Sequence, residues 1–522
     1  MEENAVILAN GFVVTCDAAN RAGRFHIAIR DGRIQEIGGL LDVLTTMYPT
    51  AAVIDVSDHL IVPGFVNGHY HTESFFLQEL TTGKPFSLWK GDRVLRDASQ
   101  VLTETGSVDH LRSVARASYL AHLKSGTTTI AEFPPLVDAA GLEILLQEAA
   151  SSGLRSVVVL QTWDQINKLR DERGPRKPVM VGLGREDDYT VYSFENFVRI
   201  SRELGIPIAG HVAEQREDVE ILRRNFTKSP AALYQDFGAL LPSTLLTHMN
   251  HGTTQDAALI AASRASVVLC AASTASKQCG YPFLRAVADR NVHCCVGTDW
   301  GNVNMLEELQ FLRKLPRLFT GMPEFSATAL LRMSTIEGAA AIGVDDLTGS
   351  IETGKHADLT VFSLADIRRT PAQESWTTEE YADLMLRSLS PDAVRHVLAR
   401  GRFVVRNGAL TGVDEKHALA SFRRTRDALL GPVSRRTVGS PTFGVTSKAR
   451  VYAFTPGERR AEGIGEDYVD GFQIKQKAAD ERPEAPSPPE TASAPDRTPS
   501  PPPSAPQPPK QVKKVFGEDD VF

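Results

Sequence analysis

The sequence lacks the features of membrane, secreted and nucleic-acid-binding proteins. No apolar run approaches the ~18 residues that a membrane-spanning helix needs. The opening Met1-Glu-Glu-Asn4 carries no cationic segment of the kind that begins a secretory signal. The formal net charge of −7 provides no basic field for nucleic acid. We therefore expect no membrane span, no secretion and no nucleic-acid partner.

Cysteine is also scarce, with five among 522 residues. These cysteines form neither a zinc-ribbon pattern nor a Cys-x-x-Cys motif. Cys294 and Cys295 lie inside an apolar run, where we expect them to act as small buried hydrophobic residues. A disulfide framework is not predicted, and a reduced, cytoplasmic setting is expected.

Proline is concentrated in a segment that cannot form a core. From Pro483 to Lys510, twelve of the 28 residues are proline. We expect residues 476–510 to be a disordered linker. Residues 511–522 regain aromatic and β-branched side chains, and they are either a docking peptide for a protein partner or a frayed terminus.

The most informative stretch is Val62–His71, a short apolar run that ends in two histidines. On a strand, His69 and His71 point to the same face because they are two residues apart. Both imidazoles can therefore converge on one point beyond the strand. Zinc and iron accept such nitrogen ligands, zinc at about 2.0–2.1 Å.

Three further apolar runs lead into metal-ligand types: His211 with Glu214 three residues later, His248, and Asp299. In a (β/α)8 barrel the carboxyl ends of all strands meet at one face, where active sites lie. Alone, each histidine could be a hydrogen-bonded core residue, and Asp299 could cap a helix. Together they favour a metal site.

The pattern between the chain ends is that of a parallel barrel. Helical and strand-like runs alternate, as expected for a parallel sheet. They are His110–Ser125, Thr127–Ala131, Ala139–Ser151 and Ser156–Leu160, followed by a strand predicted at Val179–Leu183. Both ends carry alternating strands with hairpin turns at Asp31-Gly32 and Asn407-Gly408.

These motifs together resemble the amidohydrolase superfamily, in the branch of guanine deaminase, S-adenosylhomocysteine deaminase and the triazine hydrolases. The matching motifs are Pro63–His71, Ser125–Thr129, His211–Glu214, His248, Gly297–Asp299 and Gly354–Leu359. The resemblance implies a distorted (β/α)8 TIM barrel beside a small β-sandwich built from both chain ends. The expected domains are the sandwich at 1–60 and 355–415, the barrel at 61–354, a C-terminal helix and extension at 416–475, the linker and the docking peptide.

The resemblance also implies a ligand set. One divalent metal, zinc or iron, would be held by His69, His71, His211 and Asp299 and would activate a water molecule. Asp299 would also accept the proton of that water. His248 would orient the attacking hydroxide, and Glu214 would shuttle a proton to the substrate. The expected substrate is a small molecule, and many relatives are homo-oligomers.

Several alternatives concern the metal. Binuclear relatives carry a carboxylated lysine at the end of the fourth strand, whereas Lys177 precedes that strand here. One metal is therefore favoured, although Glu186 could bridge a second. His251 is a rival of His248 as a ligand, and Trp89 is either part of a loop over the site or a core anchor.

The segments expected to contact substrate depart from the family pattern. Arg185–Tyr189 replaces a Pro-His-Ala-Pro-Tyr-like stretch, so the acidic Glu186 stands in place of a histidine and favours a cationic or amine-bearing substrate. Leu269–Thr274 replaces a His-Cys-Pro-x-Ser-Asn stretch. We expect a deaminase or aminohydrolase of a small cyclic nitrogenous compound. The alternatives are a cyclic amide, carbamate or halide-displacing hydrolase, and a barrel of lost activity that binds partners through its C-terminal tip.

Overall fold

The computed structural model describes residues 5–89, 91–103, 108–171, 179–319, 321–366 and 372–437. Lys177, the predicted extension beyond 437, the linker at 476–510 and the docking peptide at 511–522 lie outside these residues. No helix within the described ranges is long and apolar enough to cross a membrane.

Both ends of the chain contribute to one mixed sheet. Its nine strands in the described residues are β1 (Ala5–Val14), β2 (Ala22–Arg30), β3 (Arg33–Ile37), β4 (Ala52–Asp55), β5 (His59–Pro63), β14 (Leu359–Ser363), β15 (Val394–Ala399), β16 (Arg402–Arg406) and β17 (Ala409–Leu410). They run in the order β17-β16-β15-β14-β5-β1-β2-β3, and β4 pairs with β1. Because β14 pairs antiparallel with β5, the strands of residues 5–63 join those of residues 359–410 at this point.

The predicted hairpin turns of this sheet are confirmed. Asp31 and Gly32 have φ values of 50° and 78°, and Asn407 and Gly408 have values of 53° and 77°. Two consecutive residues with positive φ are typical of a type I′ turn, for which Asp-Gly and Asn-Gly are the preferred pairs.

The second sheet is a parallel barrel. Its eight strands follow one another in chain order: β6 (Phe65–Tyr70), β7 (Thr127–Glu132), β8 (Arg155–Leu160), β9 (Val179–Leu183), β10 (Ile208–Val212), β11 (Leu245–His248), β12 (Ser266–Leu269) and β13 (Cys294–Val296). An isolated parallel bridge joins Tyr70, at the end of β6, to Asp299, three residues beyond β13. A Cβ atom on Gly297 would lie 2.7 Å from the His69 amide nitrogen, so this approach requires glycine.

Most helices in the described residues follow barrel strands, whereas the first and the last two follow strands of the mixed sheet. The helices are α1 (Leu41–Met47), α2 (Ser74–Thr81), α3 (Arg93–Thr103), α4 (Val108–Lys124), α5 (Ala139–Ser152), α6 (Trp163–Asp171), α7 (Val191–Leu204), α8 (Arg216–Phe226), α9 (Pro230–Asp236), α10 (Thr254–Ser263), α11 (Ala271–Lys277), α12 (Leu284–Arg290), α13 (Met305–Lys314), α14 (Ala327–Met333), α15 (Ile336–Ala341), α16 (Thr378–Ser388) and α17 (Glu415–Thr437). Short 3₁₀ turns lie at Phe86–Leu88, Glu186–Asp188, Leu315–Leu318 and Pro391–Ala393. The predicted fold class, a barrel with a separate sheet from both chain ends, is confirmed.

Candidate metal centre and active site

The predicted ligands lie together at the carboxyl ends of the barrel strands. His69 and His71 are at the end of β6, His211 is on β10, His248 ends β11, and Asp299 follows β13. The ligand atoms of His69, His71 and His211 all lie within 4.8 Å of one another. The same holds for a second group, formed by His69, His248 and Asp299. The five side chains are therefore brought to one place, and His69 belongs to both groups.

The spacing of these atoms suits a single ion. The Nε2 atoms of His71 and His211 are 3.0 Å apart. Oδ1 of Asp299 lies 3.6 Å from Nε2 of His69 and 3.6 Å from Nε2 of His71. Tetrahedral ligands at about 2.0–2.1 Å from zinc stand about 3.4 Å from one another. These pairs are close to that separation.

Several of the converging atoms are buried and have no hydrogen-bond partner among the residues that the structure describes. They include Nε2 of His69, Oδ1 of Asp299 and both ring nitrogens of His248. Leaving such an atom unsatisfied costs about 1–3 kcal/mol. The other nitrogen of His69, Nδ1, lies 3.3 Å from Oγ1 of Thr247, which leaves Nε2 available to a ligand. The donor set therefore fits a divalent metal.

Burial keeps the histidines in the form that binds metals. Burial, followed by the nearby charge of His69, lowers the pKa of His71 and of His211 well below the ordinary value. The pKa of His248 falls to about 4, because burial outweighs the opposing carboxylates of Glu214 and Asp299. Neutral imidazole is the ligand form of histidine.

Two carboxylates beside the histidines are held ionised. Burial would raise the pKa of Asp299, but Lys277 above all holds it well below the ordinary value. Burial would likewise raise the pKa of Glu214, and His248, Lys277 and Arg185 together lower it. Oε1 of Glu214 lies 3.7 Å from Nε2 of His248. The site therefore holds a buried, charged carboxylate next to the candidate metal position.

Lys277 is a site residue that the sequence patterns missed. Its Nζ lies 2.5 Å from Oδ2 of Asp299 and 2.9 Å from Oε1 of Glu214, and its side chain is only 5% exposed. Ser273, one helical turn earlier on α11, donates to Oδ2 of Asp299 at 2.6 Å. The i, i+4 spacing of Ser273 and Lys277 directly after β12 is the signal that could have revealed them.

Arg185 and Glu186 follow β9 and have different environments. Nη2 of Arg185 donates to Oε2 of Glu214 at 2.8 Å. Glu186 is fully buried, and its Oε1 accepts from the Ala213 amide at 2.5 Å. Burial, with the charge of Asp218, raises the pKa of Glu186 to about 8. Neither metal group found among the described residues includes Glu186, and its roles toward a second metal and toward substrate stay predictions.

The rival ligand His251 points elsewhere. Its Nε2 lies 3.0 Å from the carbonyl oxygen of Cys279, and it belongs to neither metal group found in the described ranges. This arrangement agrees with the preference for His248.

The surroundings of Trp89 agree both with a core anchor and with a loop over the site, the two predictions made for it. It is 8% exposed and packs in a hydrophobic cluster with Phe76 and Leu77. Its ring centroid also lies 4.9 Å from that of Trp300, which in turn is 5.7 Å from the ring of His71. Trp89 and Trp300 thus form a row of aromatic rings that reaches His71 at the candidate metal position.

The backbone is strained where the strands end in the site. Ala213, His248, Met249 and Asp299 have φ values of 50°, 81°, 55° and 58°. Such conformations cost about 1–3 kcal/mol each in a non-glycine residue and cluster at functional sites. Here they occur at the turns that follow β10, β11 and β13.

A model of the amidohydrolase family matches residues 60–404. The chain belongs to this family. The predicted family is therefore confirmed, and the chain is an enzyme of the amidohydrolase type. A divalent-metal centre agrees with the donor set described above.

Curated relatives are deaminases. The 5-methylthioadenosine/S-adenosylhomocysteine deaminase of Moorella thermoacetica is 25% identical over 416 residues, covering 77% of this amidohydrolase and 94% of the relative. That of Halobacterium salinarum is 27% identical over 387 residues, covering 69% and 85%.

Solved structures share the fold. A zinc-bound adenosine deaminase from Xanthomonas campestris has a TM-score of 0.71 at 20% identity and covers 82% of this chain and 98% of that one. An atrazine chlorohydrolase from Arthrobacter aurescens, complexed with zinc, has a TM-score of 0.72 at 19% identity and covers 81% and 100%.

Proposed function

We propose that this amidohydrolase is a metal-dependent deaminase that releases ammonia from an electron-poor carbon of a small cyclic nitrogenous compound. The observation that carries the proposal is the convergence of Nε2 of His69, Nε2 of His71 and Oδ1 of Asp299 beside the buried carboxylate of Glu214. The named activities of the curated relatives support the choice of deamination.

His69, His71, His211 and Asp299 would hold one zinc ion, and His69 is common to both ligand groups, which supports a single centre. When bound, the ion would supply a nucleophilic water at neutral pH. His248, whose two ring nitrogens have no hydrogen-bond partner within the described ranges, would orient that water.

Glu214 would carry the proton to the departing nitrogen. It is ionised through its contacts to Lys277 and Arg185, so it must receive the proton that Asp299 accepts from the attacking water before it gives one to the leaving group. Ser273 and Lys277 hold Oδ2 of Asp299, which leaves Oδ1 facing the histidines. The five cysteines are buried and unpaired, which supports a cytoplasmic location.

The test combines metal analysis with ammonia release on the purified chain. The panel comprises adenosine, 5′-methylthioadenosine, S-adenosylhomocysteine, guanine, pterins, aminotriazines, chlorotriazines and creatinine. We expect about one zinc per chain and ammonia from at least one amino-substituted ring. Chloride release or ring opening without ammonia would contradict deamination while leaving the metal centre in place. Absence of metal after zinc reconstitution would contradict the centre itself.

A further inference from the structure

The ammonium of Lys277 contacts two active-site carboxylates, those of Asp299 and Glu214, on one side. On its other side lies an aromatic wall, which is formed by the rings of Phe86, Trp89 and Trp300. Its Nζ is 4.9 Å from the ring centroid of Phe86, 5.6 Å from that of Trp89 and 5.9 Å from that of Trp300. The guanidinium of Arg185 lies over Phe86 at 4.8 Å. Both cations therefore border the same wall of aromatic rings.

Lys277 keeps bonding capacity after its contacts with the two carboxylates. An ammonium has three N–H donors, and in the described residues two are accounted for by Asp299 and Glu214. Asp299 would also share its charge with the metal through Oδ1. Once the ion is bound, the positive charge of Lys277 is therefore less fully compensated, and a buried cation of this kind favours an anionic partner.

We propose that Lys277 is a specificity-determining residue that selects rings bearing an anionic group, with Arg185 adding positive charge along the same aromatic wall. The proposal rests on the proposed function and refines it by naming the charge of the substrate. It replaces the expectation of a cationic substrate that Glu186 suggested, because the Glu186 carboxylate is buried against the Ala213 amide whereas the two cations border the aromatic wall.

Binding of nicotinate and nicotinamide to the zinc-loaded full-length protein tests the charge preference. These planar rings are similar in size and differ in charge. Quenching of tryptophan fluorescence reports binding because Trp89 and Trp300 lie beside Lys277. We expect nicotinate to bind at least about tenfold more tightly than nicotinamide. Lys277→Gln should reduce the ratio to about twofold or less, whereas Lys277→Arg should retain most of it.

Lys124→Gln is the matched control, since Lys124 pairs with Glu415 at the surface and should keep the wild-type ratio. Lys277→Met is a second charge-removing variant that keeps the aliphatic stem, and thermal melting identifies any variant that does not fold. Equal binding of the two probes to the wild type would overturn the proposal. A preference that persists in Lys277→Gln and Lys277→Met would do so too, because the anion would then be bound by the metal.

Ammonia release from the same preparations separates this inference from the proposed function. An enzyme that deaminates a ring but binds both probes equally contradicts only the charge preference. A charge preference that depends on Lys277, without ammonia from any ring, contradicts only deamination.

Discussion

The metal-binding part and the substrate-facing part of the site are built from different kinds of segment. His69, His211 and His248 lie on barrel strands, whose hydrogen-bonded register fixes where each side chain points. Lys277 and Arg185 follow strands β12 and β9, on segments positioned by side-chain contacts rather than by a ladder. The ligand types of the first part match those that the resemblance to the family implies, whereas the segments of the second part depart from the pattern that it implies. Substrate binding can therefore change through the segments that follow β9 and β12, while the metal centre stays the same.

The largest effect is expected from removing a metal ligand. His69→Ala should lose bound metal and lower activity by about a thousandfold or more, because His69 belongs to both ligand groups. Elemental analysis and ammonia release measure the two effects. His251→Ala is the matched histidine control and should retain metal. Loss of metal there, with metal retained in His69→Ala, would show that His251 rather than His69 is a ligand.

Glu214→Gln should affect turnover without affecting the metal. The amide keeps the shape of the side chain but cannot carry a proton, and general acid–base catalysis contributes about 10²–10⁴-fold. We expect a fall in kcat of this size at unchanged zinc content. Full activity in this variant would show that the proton passes through another group.

A smaller effect is expected for the residue that orients a ligand. Thr247→Val removes the hydroxyl 3.3 Å from Nδ1 of His69 while keeping the volume of the side chain. Loss of such a partner weakens metal affinity by about 10–100-fold. Competition with a zinc chelator measures this affinity. An unchanged affinity would mean that the barrel backbone alone orients His69.

The smallest effect concerns the support of the helix that carries Lys277. Glu308 is fully buried, and its Oε1 accepts from the Ala272 amide at the start of α11. Its Oε2 has no hydrogen-bond partner in the described part of the chain. Burial raises its pKa from the ordinary 4.5 to about 8. The folded state therefore favours the protonated acid, and the stability that this provides is complete below 4.5 and is lost as the pH rises to about 8.

Glu308→Gln keeps the acceptor and cannot ionise. Its melting temperature should therefore rise relative to the wild type as the pH increases from about 5 to about 8. Glu307→Gln, an exposed neighbour on the same helix, should show no such trend. A wild type and a Glu308→Gln variant with parallel pH profiles would place the Glu308 carboxyl in contact with water.

The strands and the metal ligands could be predicted because their signals are local. β9 has the predicted bounds, since a buried apolar run defines it. α5 (Ala139–Ser152) is one residue longer than predicted. Asp138 caps its start, where the side chain accepts from the Gly141 amide, and Gly153, with a φ of 90°, follows its end. His69, His71, His211 and Asp299 stand at strand ends, where the barrel fold dictates their meeting.

The substrate-facing residues could not be predicted in the same way. α11 has only seven residues and no apolar stripe, so its position depends on its contact with α13, where Glu308 accepts from the Ala272 amide. The contact of Lys277 with Glu214 joins segments 63 residues apart. The burial of Glu186 depends in the same way on the turn after β10, which the sequence near Glu186 does not encode.

The single zinc centre is tested most directly by a crystal structure of the zinc-loaded protein, with anomalous scattering recorded at the zinc edge. We expect one strong anomalous peak at about 2.0–2.1 Å from Nε2 of His69, His71 and His211, with Oδ1 of Asp299 as a further ligand. A peak at His251, two peaks bridged by Glu186, or no peak at the carboxyl ends of the barrel strands would contradict it.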